Sequence, residues 1–223
     1  MTSVANGIRV AIDGPSGSGK SSVSKKVAAH LGIGYLDTWY CLDRGIDLDD
    51  LGVVADAVTA MPLEMGTDPS APSISMGGTR IDADIRTTRI AEVVSKVATN
   101  LQVRPKLQQR QRELMAQIAA DQGGVVAEGR DITTVVAPDA DVRILMVASE
   151  AARLARRSKE LHGGADDAAI AATRTQIVDR DKADSTVSSF MSAADGVVTL
   201  DTSDLTFQQS VEAVLTLVER ARG

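Results

Sequence analysis

Apolar residues along this chain fall into short β-branched runs separated by stretches with helical spacing. Ile8 to Asp13 is a run of the first kind and ends in a glycine-rich turn. From Ser21 to Leu31 the apolar positions Val23, Val27, Ala28 and Leu31 then recur with the period of a helix. Gly34-Tyr35-Leu36-Asp37-Thr38 predicts a further strand, as do Gly124 to Ala127, Val142 to Ala148 and Gly196 to Leu200. Alternation of buried strands with helical segments predicts an α/β fold, a parallel sheet flanked by helices on both faces.

Residues 47–92 mix short helical stretches with Ser73 to Ile81, where Gly77-Gly78 between β-prone segments signals a hairpin, and predict a small inserted lobe. Residues 93–120 predict a long amphipathic helical region with Pro105 at a helix start or a kink. Glu150 to Asp184 is charged and mostly helical, broken at Gly163-Gly164. The organisation expected is a core from 1–46, 93–152 and 193–223, the inserted lobe at 47–92, and a separate helical region at 153–192. One connection does not fit: only Trp39 to Arg44 separates the second strand from the turn-like Gly45-Ile46-Asp47, whereas a parallel crossover needs about a dozen residues.

Composition narrows the classes. The chain has 223 residues, 43% of them hydrophobic, enough for one substantial core. Only 2% are aromatic, so recognition of a ring by stacked aromatics gives way to hydrogen bonds and arginine. A net charge of -6 argues against a nucleic-acid polymer or an anionic membrane as partner and leaves a small anion in a local basic pocket. The single cysteine, Cys41, excludes an internal disulfide or a multi-cysteine zinc site and fits a cytoplasmic protein. No apolar run approaches the roughly 20 residues that span a bilayer.

The pattern G-x-x-x-x-G-K-[ST] is met by Gly14-Pro15-Ser16-Gly17-Ser18-Gly19-Lys20-Ser21, between a strand and a helix. Glycines let the backbone curl so that successive N–H groups point at an oxyanion, and the helix N-terminus adds its positive dipole end. Lys20 is expected to reach the outer phosphates of a triphosphate and the Ser21 hydroxyl to bind Mg²⁺. Glu128-Gly129-Arg130-Asp131 follows a buried strand and is expected at the same sheet edge. It reads either as a site, with Arg130 on a phosphate and Asp131 accepting from a base amino group or another arginine, or as an exposed ion pair worth little. Arginines recur at 153, 156, 157, 174 and 180. Arg153 and Arg174 read as a solvated helix face, whereas Arg180-Asp181-Lys182-Ala183-Asp184 points to phosphate chemistry.

Taken together these residues resemble the cytidylate kinase family along nearly the whole chain. The likeness includes Ile12 to Ser21, Leu36-Asp37-Thr38, Asp84-Ile85-Arg86-Thr87, Val94 to Ala98, Val103-Arg104, Glu128 to Ile132, Pro138-Asp139-Ala140, Arg180-Asp181 with Asp184-Ser185, and Ala193-Ala194-Asp195. The resemblance implies a P-loop fold that transfers the γ-phosphate of ATP to CMP or dCMP with Mg²⁺. It also implies a core, a monophosphate-binding lobe and a lid. It puts Ser95, Arg130 and Asp131 on the cytosine, Thr38 and Asp184 on the sugar, and Arg104 and Arg180 on the monophosphate. Lys20, Asp37, Arg130 and Arg180 are the catalytic candidates. A monomer is the simple expectation for an enzyme that opens and closes.

Two departures stand out. The family continues from Asp-Ser/Thr into Gly-Ala-x-Tyr-Arg, but Thr38 is followed by Trp39. The family also carries an arginine soon after its lid Asp-Ser, but Thr186 is followed by Val187. Both points fall where motion is expected, and the first crossover is too short, so the favoured reading is a numbering closed over absent segments rather than true deletions. True deletions imply a chain that binds ATP and phosphorylates CMP poorly. Another small-molecule P-loop kinase is the nearest rival. A non-catalytic nucleotide-binding protein is a second, and a regulatory GTPase lacks the Asn-Lys-x-Asp segment it would need.

Overall fold

Alternate side chains of a strand point to opposite faces of its sheet, and the first strand here has a covered face on each side. In the computed structural model, which describes residues 7–37, 63–71, 73–76, 78–80, 101–163 and 167–223, strand β1 spans Ile8–Asp13. Val10 and Ile12 enter one buried cluster and Ala11 the other. Helix α1 (Lys20–Leu31) leads to β2 (Gly34–Asp37). A small antiparallel sheet follows, made of β3 (Leu63–Gly66), β4 (Ser73–Met76) and β5 (Thr79–Arg80). Then come α2 (Arg104–Gln122), β6 (Gly124–Gly129), a π-helical turn (Ile132–Val136) and β7 (Val142–Val147). Helices α3 (Glu150–His162) and α4 (Asp167–Ser185), strand β8 (Val198–Asp201) and helix α5 (Phe207–Arg222) complete the order.

The main sheet has the order β2-β6-β1-β7-β8 and every neighbouring pair is parallel. Val23 and Val27 of α1 with Val211, Val214 and Val218 of α5 cover the Val10–Ile12 face. Met115, Ile118 and Ala119 of α2, with Ile132 and Val136, cover the other face, which Ala11 forms with Val125 and Ala127 of β6. The expected parallel sheet with helices on both faces is therefore present.

Several expectations sharpen. The Gly77-Gly78 hairpin forms as β4–β5, and Gly78 has the positive φ of 81° that such a turn asks of a glycine. Strand β3, paired with β4, has no counterpart in the sequence reading of the lobe. Pro105 lies in the first turn of α2, where its missing N–H costs nothing. The part of that helical region before residue 101 lies outside the described residues. Gly163 ends α3 with φ 74°, and its N–H closes on Lys159 O, confirming the helical break. Among the described residues no helix is long and apolar enough to cross a membrane.

The idea of segments missing from the numbering is overturned. The full chain of 223 residues runs directly from Thr38 to Trp39 and from Thr186 to Val187. At the second point the backbone is visibly closed into a turn, with Val187 N and Ser188 N both donating to Asp184 O at 3.2 and 3.1 Å. The helical pair simply ends in a tight turn there. The short crossover after Thr38 lies outside the described residues.

Asp13 joins two parts of this framework. It ends β1, is 1% exposed, and is in register with Gly129 of β6. Its carboxylate accepts from Ile132 N at 3.0 Å, Thr133 N at 2.7 Å and Thr133 Oγ1 at 2.6 Å. Burial pushes the Asp13 carboxyl up to about 6, against the lowering effect of those hydrogen bonds. The native state thus binds this proton more tightly than the unfolded chain, so the Asp13 contribution to stability falls as pH rises from about 4 to about 6. The two-unit difference corresponds to roughly 3 kcal/mol. Asp13→Asn is expected to abolish this slope, checked by comparing urea midpoints of parent and variant at intervals across that range.

Candidate functional site

The chain leaves β1 at the carboxyl edge of the sheet and enters the glycine-rich loop at once, so the loop stands where open parallel sheets bind ligands. Gly17, with φ 78°, lies so close to α3 that a Cβ would come 2.6 Å from the Arg153 carbonyl oxygen. Gly19, at φ 91°, makes the turn into α1. Lys20 is the first residue of that helix and is buried. Its Nζ lies 3.4 Å from Pro15 O, back across the loop. Ser21 follows in the first turn, half-buried. The loop and the helix end take the strand–loop–helix arrangement that the sequence pattern predicts.

Helices α3 and α4 press arginines and a carboxylate against one limb of this loop. Ser16 N donates to Asp181 Oδ1 at 3.1 Å, and Ser16 Oγ accepts from Arg130 Nη2 at 2.7 Å. Ser16 O accepts from Arg153 Nη1 at 3.0 Å. Asp181 in turn binds Arg130 Nη1 at 2.8 Å and also pairs with Arg153. Arg130 Nε reaches Asp184 Oδ2 at 2.8 Å, and its guanidinium lies 4.5 Å from the centre of the Phe190 ring. Burial would push the Asp181 carboxyl up, but the Arg130 charge and the donors on Ser16, Arg130 and Arg153 outweigh it and hold it below the ordinary aspartate range. Arg156 donates to Ser18 O at 3.3 Å and to Thr202 Oγ1 at 3.0 Å, which ties the loop's far limb to the end of β8.

A second group lies beside the first. Arg104 and Gln108, on successive turns of α2, donate to Asp131 Oδ2 at 2.6 and 2.8 Å. Arg104 also donates to Ser188 Oγ at 3.1 Å. Ser188 lines an open groove of about 410 Å³ with Ser185, Val187, Ser189 and Met191. Cations thus converge with the glycine-rich loop at one edge of the sheet, and a nearby carboxylate offers an acceptor. That is the equipment for holding a polyphosphate beside a second polar molecule.

Of the residues singled out from the sequence, Gly14 to Ser21, Arg104, Arg130, Asp131 and Asp184 come together here. The reading of Arg130-Asp131 as an exposed ion pair fails on geometry, since the two side chains are only 11% and 15% exposed and pair with other residues. Asp37 ends β2 in register with Glu128, and Arg180 lies within α4, but the side chains of both lie outside the described residues. Thr38 and Ser95 lie outside them entirely. Arg153 corrects the reading of a solvated helix face: it is 9% exposed and bound to the loop. Arg174 keeps that reading, 61% exposed and paired with Glu150. Asp13, Gln108 and Arg153 went unrecognised as parts of the site. The spacing of Arg153 to Arg156, an arginine already singled out in the sequence, on one helix face was the available signal for Arg153.

Asp181→Ala leaves two neighbouring guanidiniums without their shared carboxylate and the Ser16 amide without its acceptor. Loss of about 3–5 kcal/mol of stability is expected from breaking such a buried pair, measured by equilibrium denaturation near neutral pH. Because the Asp181 carboxyl is held low, the difference between parent and variant should shrink as pH falls through and below the ordinary aspartate range.

A family model described as cytidylate kinase matches residues 10–220. A cytidylate kinase of Streptomyces avermitilis is 46% identical, over 96% of this chain and 94% of that protein. One from Streptomyces griseus is 45% identical over 96% of this chain and 93% of its own length. One from Cutibacterium acnes is 42% identical over 94% and 95%. With likeness of this extent spanning both the loop and the arginine–aspartate cluster, the chain belongs to the cytidylate kinase family.

Proposed function

We propose that this protein transfers the γ-phosphate of ATP to CMP or dCMP, giving CDP or dCDP, by in-line displacement in pyrimidine nucleotide metabolism. The observation that carries the reading is the adjacency of Arg130-Asp131 to the Gly14–Ser21 loop. Triphosphate cradle and base-recognising carboxylate share one sheet edge, with Ser16 Oγ hydrogen-bonded to Arg130. Family membership supplies the reaction. The core, lobe and lid division is part of the same proposal, with β3–β5 as the lobe's sheet and α3–α4 as the lid's helices.

The loop amides and Lys20 bind the donor's outer phosphates and hold them in line with the acceptor. Arg130, Arg153 and Arg180 are the cations available to offset charge that spreads over the transferred group. On the acceptor side Arg104 and Arg180 take the monophosphate, Asp184 and Thr38 the sugar, and Ser95, Arg130 and Asp131 the cytosine. An ionised aspartate only accepts hydrogen bonds, so it matches the exocyclic amino group of cytosine and opposes the carbonyl oxygen that uracil has there.

Mg²⁺ fits the donor set. Ser21 offers a hard hydroxyl oxygen in the first turn of α1, and among the described residues no group of three His, Cys, Asp or Glu could hold a metal. An ion held by ATP oxygens, Ser21 and water suits magnesium's habit of keeping part of its water shell. When bound it would neutralise charge on the β- and γ-phosphates.

The continuity of the chain at Thr38–Trp39 and Thr186–Val187 bears on the acceptor side. Two arginines that the family resemblance led us to expect are absent there, which leaves Arg104 and Arg180 to hold the monophosphate. CMP affinity should be weak, with a KM in the upper part of the usual 1 μM to 1 mM range, while ATP binds normally. Titration calorimetry with each nucleotide, alongside turnover, tests this, and CMP binding as tight as that of ATP would contradict it.

With CMP, UMP, AMP and shikimate offered singly, acceptor-dependent ATP consumption should be fastest with CMP or dCMP. Preference for shikimate or AMP would overturn the assignment. Lys20→Ala should lower kcat by about 10²–10³-fold. Asp131→Asn, which replaces an obligate acceptor with a group that can donate, should narrow the preference for CMP over UMP by at least about ten-fold in kcat/KM.

A further inference from the structure

Phe190 is wholly buried in an irregular stretch between two exposed neighbours, Ser189 and Met191. It belongs to neither of the apolar clusters that cover the sheet. The Arg130 guanidinium lies over its ring instead, with the central carbon 4.5 Å from the ring centre. The turn after α4 brings the ring there: Val187 N and Ser188 N close on Asp184 O, while the Asp184 carboxylate takes Arg130 Nε at 2.8 Å. Arg130 Nη1 is held by Asp181 at 2.8 Å and Nη2 by Ser16 Oγ at 2.7 Å. All three nitrogens are thus engaged along the edge of the guanidinium, which leaves its face to the ring. This stretch has Val187 where the family resemblance led us to expect a further arginine, and three residues on it contributes a ring to an arginine from elsewhere.

We propose that Phe190 is a positioning residue for phosphoryl transfer. Its ring holds the face of the Arg130 guanidinium beside the phosphate loop while the donors at the edge pass from protein carboxylates to substrate phosphate. The two kinds of partner act differently when a phosphate arrives. Asp181 and Asp184 are anions, and they compete with phosphate oxygens for the same in-plane N–H donors. A ring attracts the cation through its negative face, uses none of those donors and adds no charge to repel the phosphate. Burial strengthens the contact, since the Arg130 side chain is 11% exposed and Phe190 is 0% exposed. An arginine held by carboxylates alone would lose its orientation whenever one of them let go, and would have to be re-ordered at each binding event. With the ring in place, Arg130 changes partners without leaving the loop.

This inference rests on the reading of Arg130 as a cation that meets substrate phosphate, and the experiment separates the two. Steady-state kinetics with ATP and CMP are measured on the full chain and on proteins in which codon suppression places phenylalanines with one, two and three ring fluorines at position 190. Fluorine drains the negative face of the ring and leaves its shape nearly unchanged. The kcat/KM for CMP should fall step by step along the series, by about ten-fold at three fluorines, the loss of one dehydrated cation–π contact. The KM for ATP should stay within about two-fold, because the loop and Lys20 hold the donor. Phe190→Leu should lose at least as much as the protein with three fluorines. A series that stays within about two-fold of the parent in kcat/KM overturns the proposal, even where the thermal midpoint falls, for the ring then serves the fold alone. Arg130→Met, measured alongside, should lower kcat/KM by about 10²–10³-fold. If it is as active as the parent, the reading of Arg130 is overturned and the inference with it; an impaired Arg130→Met beside a flat fluorine series overturns the role of Phe190 alone. A parent with no CMP kinase activity overturns the reading on which both stand, and is seen before any variant is made.

Discussion

The carboxylate of Asp13 is the point through which the two halves of the site are held together. It ends the central strand, and by accepting from the Ile132 and Thr133 amides it fixes the segment after Arg130-Asp131 against the start of the phosphate loop. Without that link the relative position of the loop and Arg130-Asp131 would rest on the pairing of β1 with β6 and on the contacts of Arg130 with Ser16 and Asp181. The arrangement costs stability, since burial disfavours the charged form. What it contributes is geometry: three directed hydrogen bonds within one buried turn leave little freedom to either segment.

The same economy governs the helical pair. Asp181 satisfies a loop amide and two guanidiniums, so Arg130 and Arg153, from different elements, can lie side by side. Like charges brought that close need a shared counter-ion in a partly dehydrated place. A phosphate of the bound donor is another anion able to play that part. The contacts at Ser16 therefore represent a cluster in which protein carboxylate and substrate phosphate are chemically interchangeable partners for the same arginines.

The proposed recognition of the base follows a related logic on the other side of Arg130-Asp131. A carboxylate is a sound reader of an amino group only while its orientation is controlled, and α2 supplies two donors to one of its oxygens. With 2% aromatic residues in the chain, stacking contributes little, and directed hydrogen bonds bear the discrimination.

Much of this was legible in the residues themselves. The β-branched run before Gly14 and the helical spacing after Ser21 determine strand, loop and helix, because those periods leave a short segment few ways to bury its apolar side chains. The apolar strands likewise determine a sheet covered on both faces, and Gly78 and Gly163 mark turns that need positive φ. What the tertiary structure alone decided is which charges are buried. Arg153 looks like any solvated helix arginine until α3 packs against Gly17, and Gln108 acquires a partner only when α2 lies beside the end of β6. Asp13 belongs to the loop motif by sequence, yet its role depends on a turn some 120 residues away. Local patterns encode elements because their causes are local; the worth of a charge depends on what the rest of the chain brings within about 3 Å of it, and no local pattern contains that.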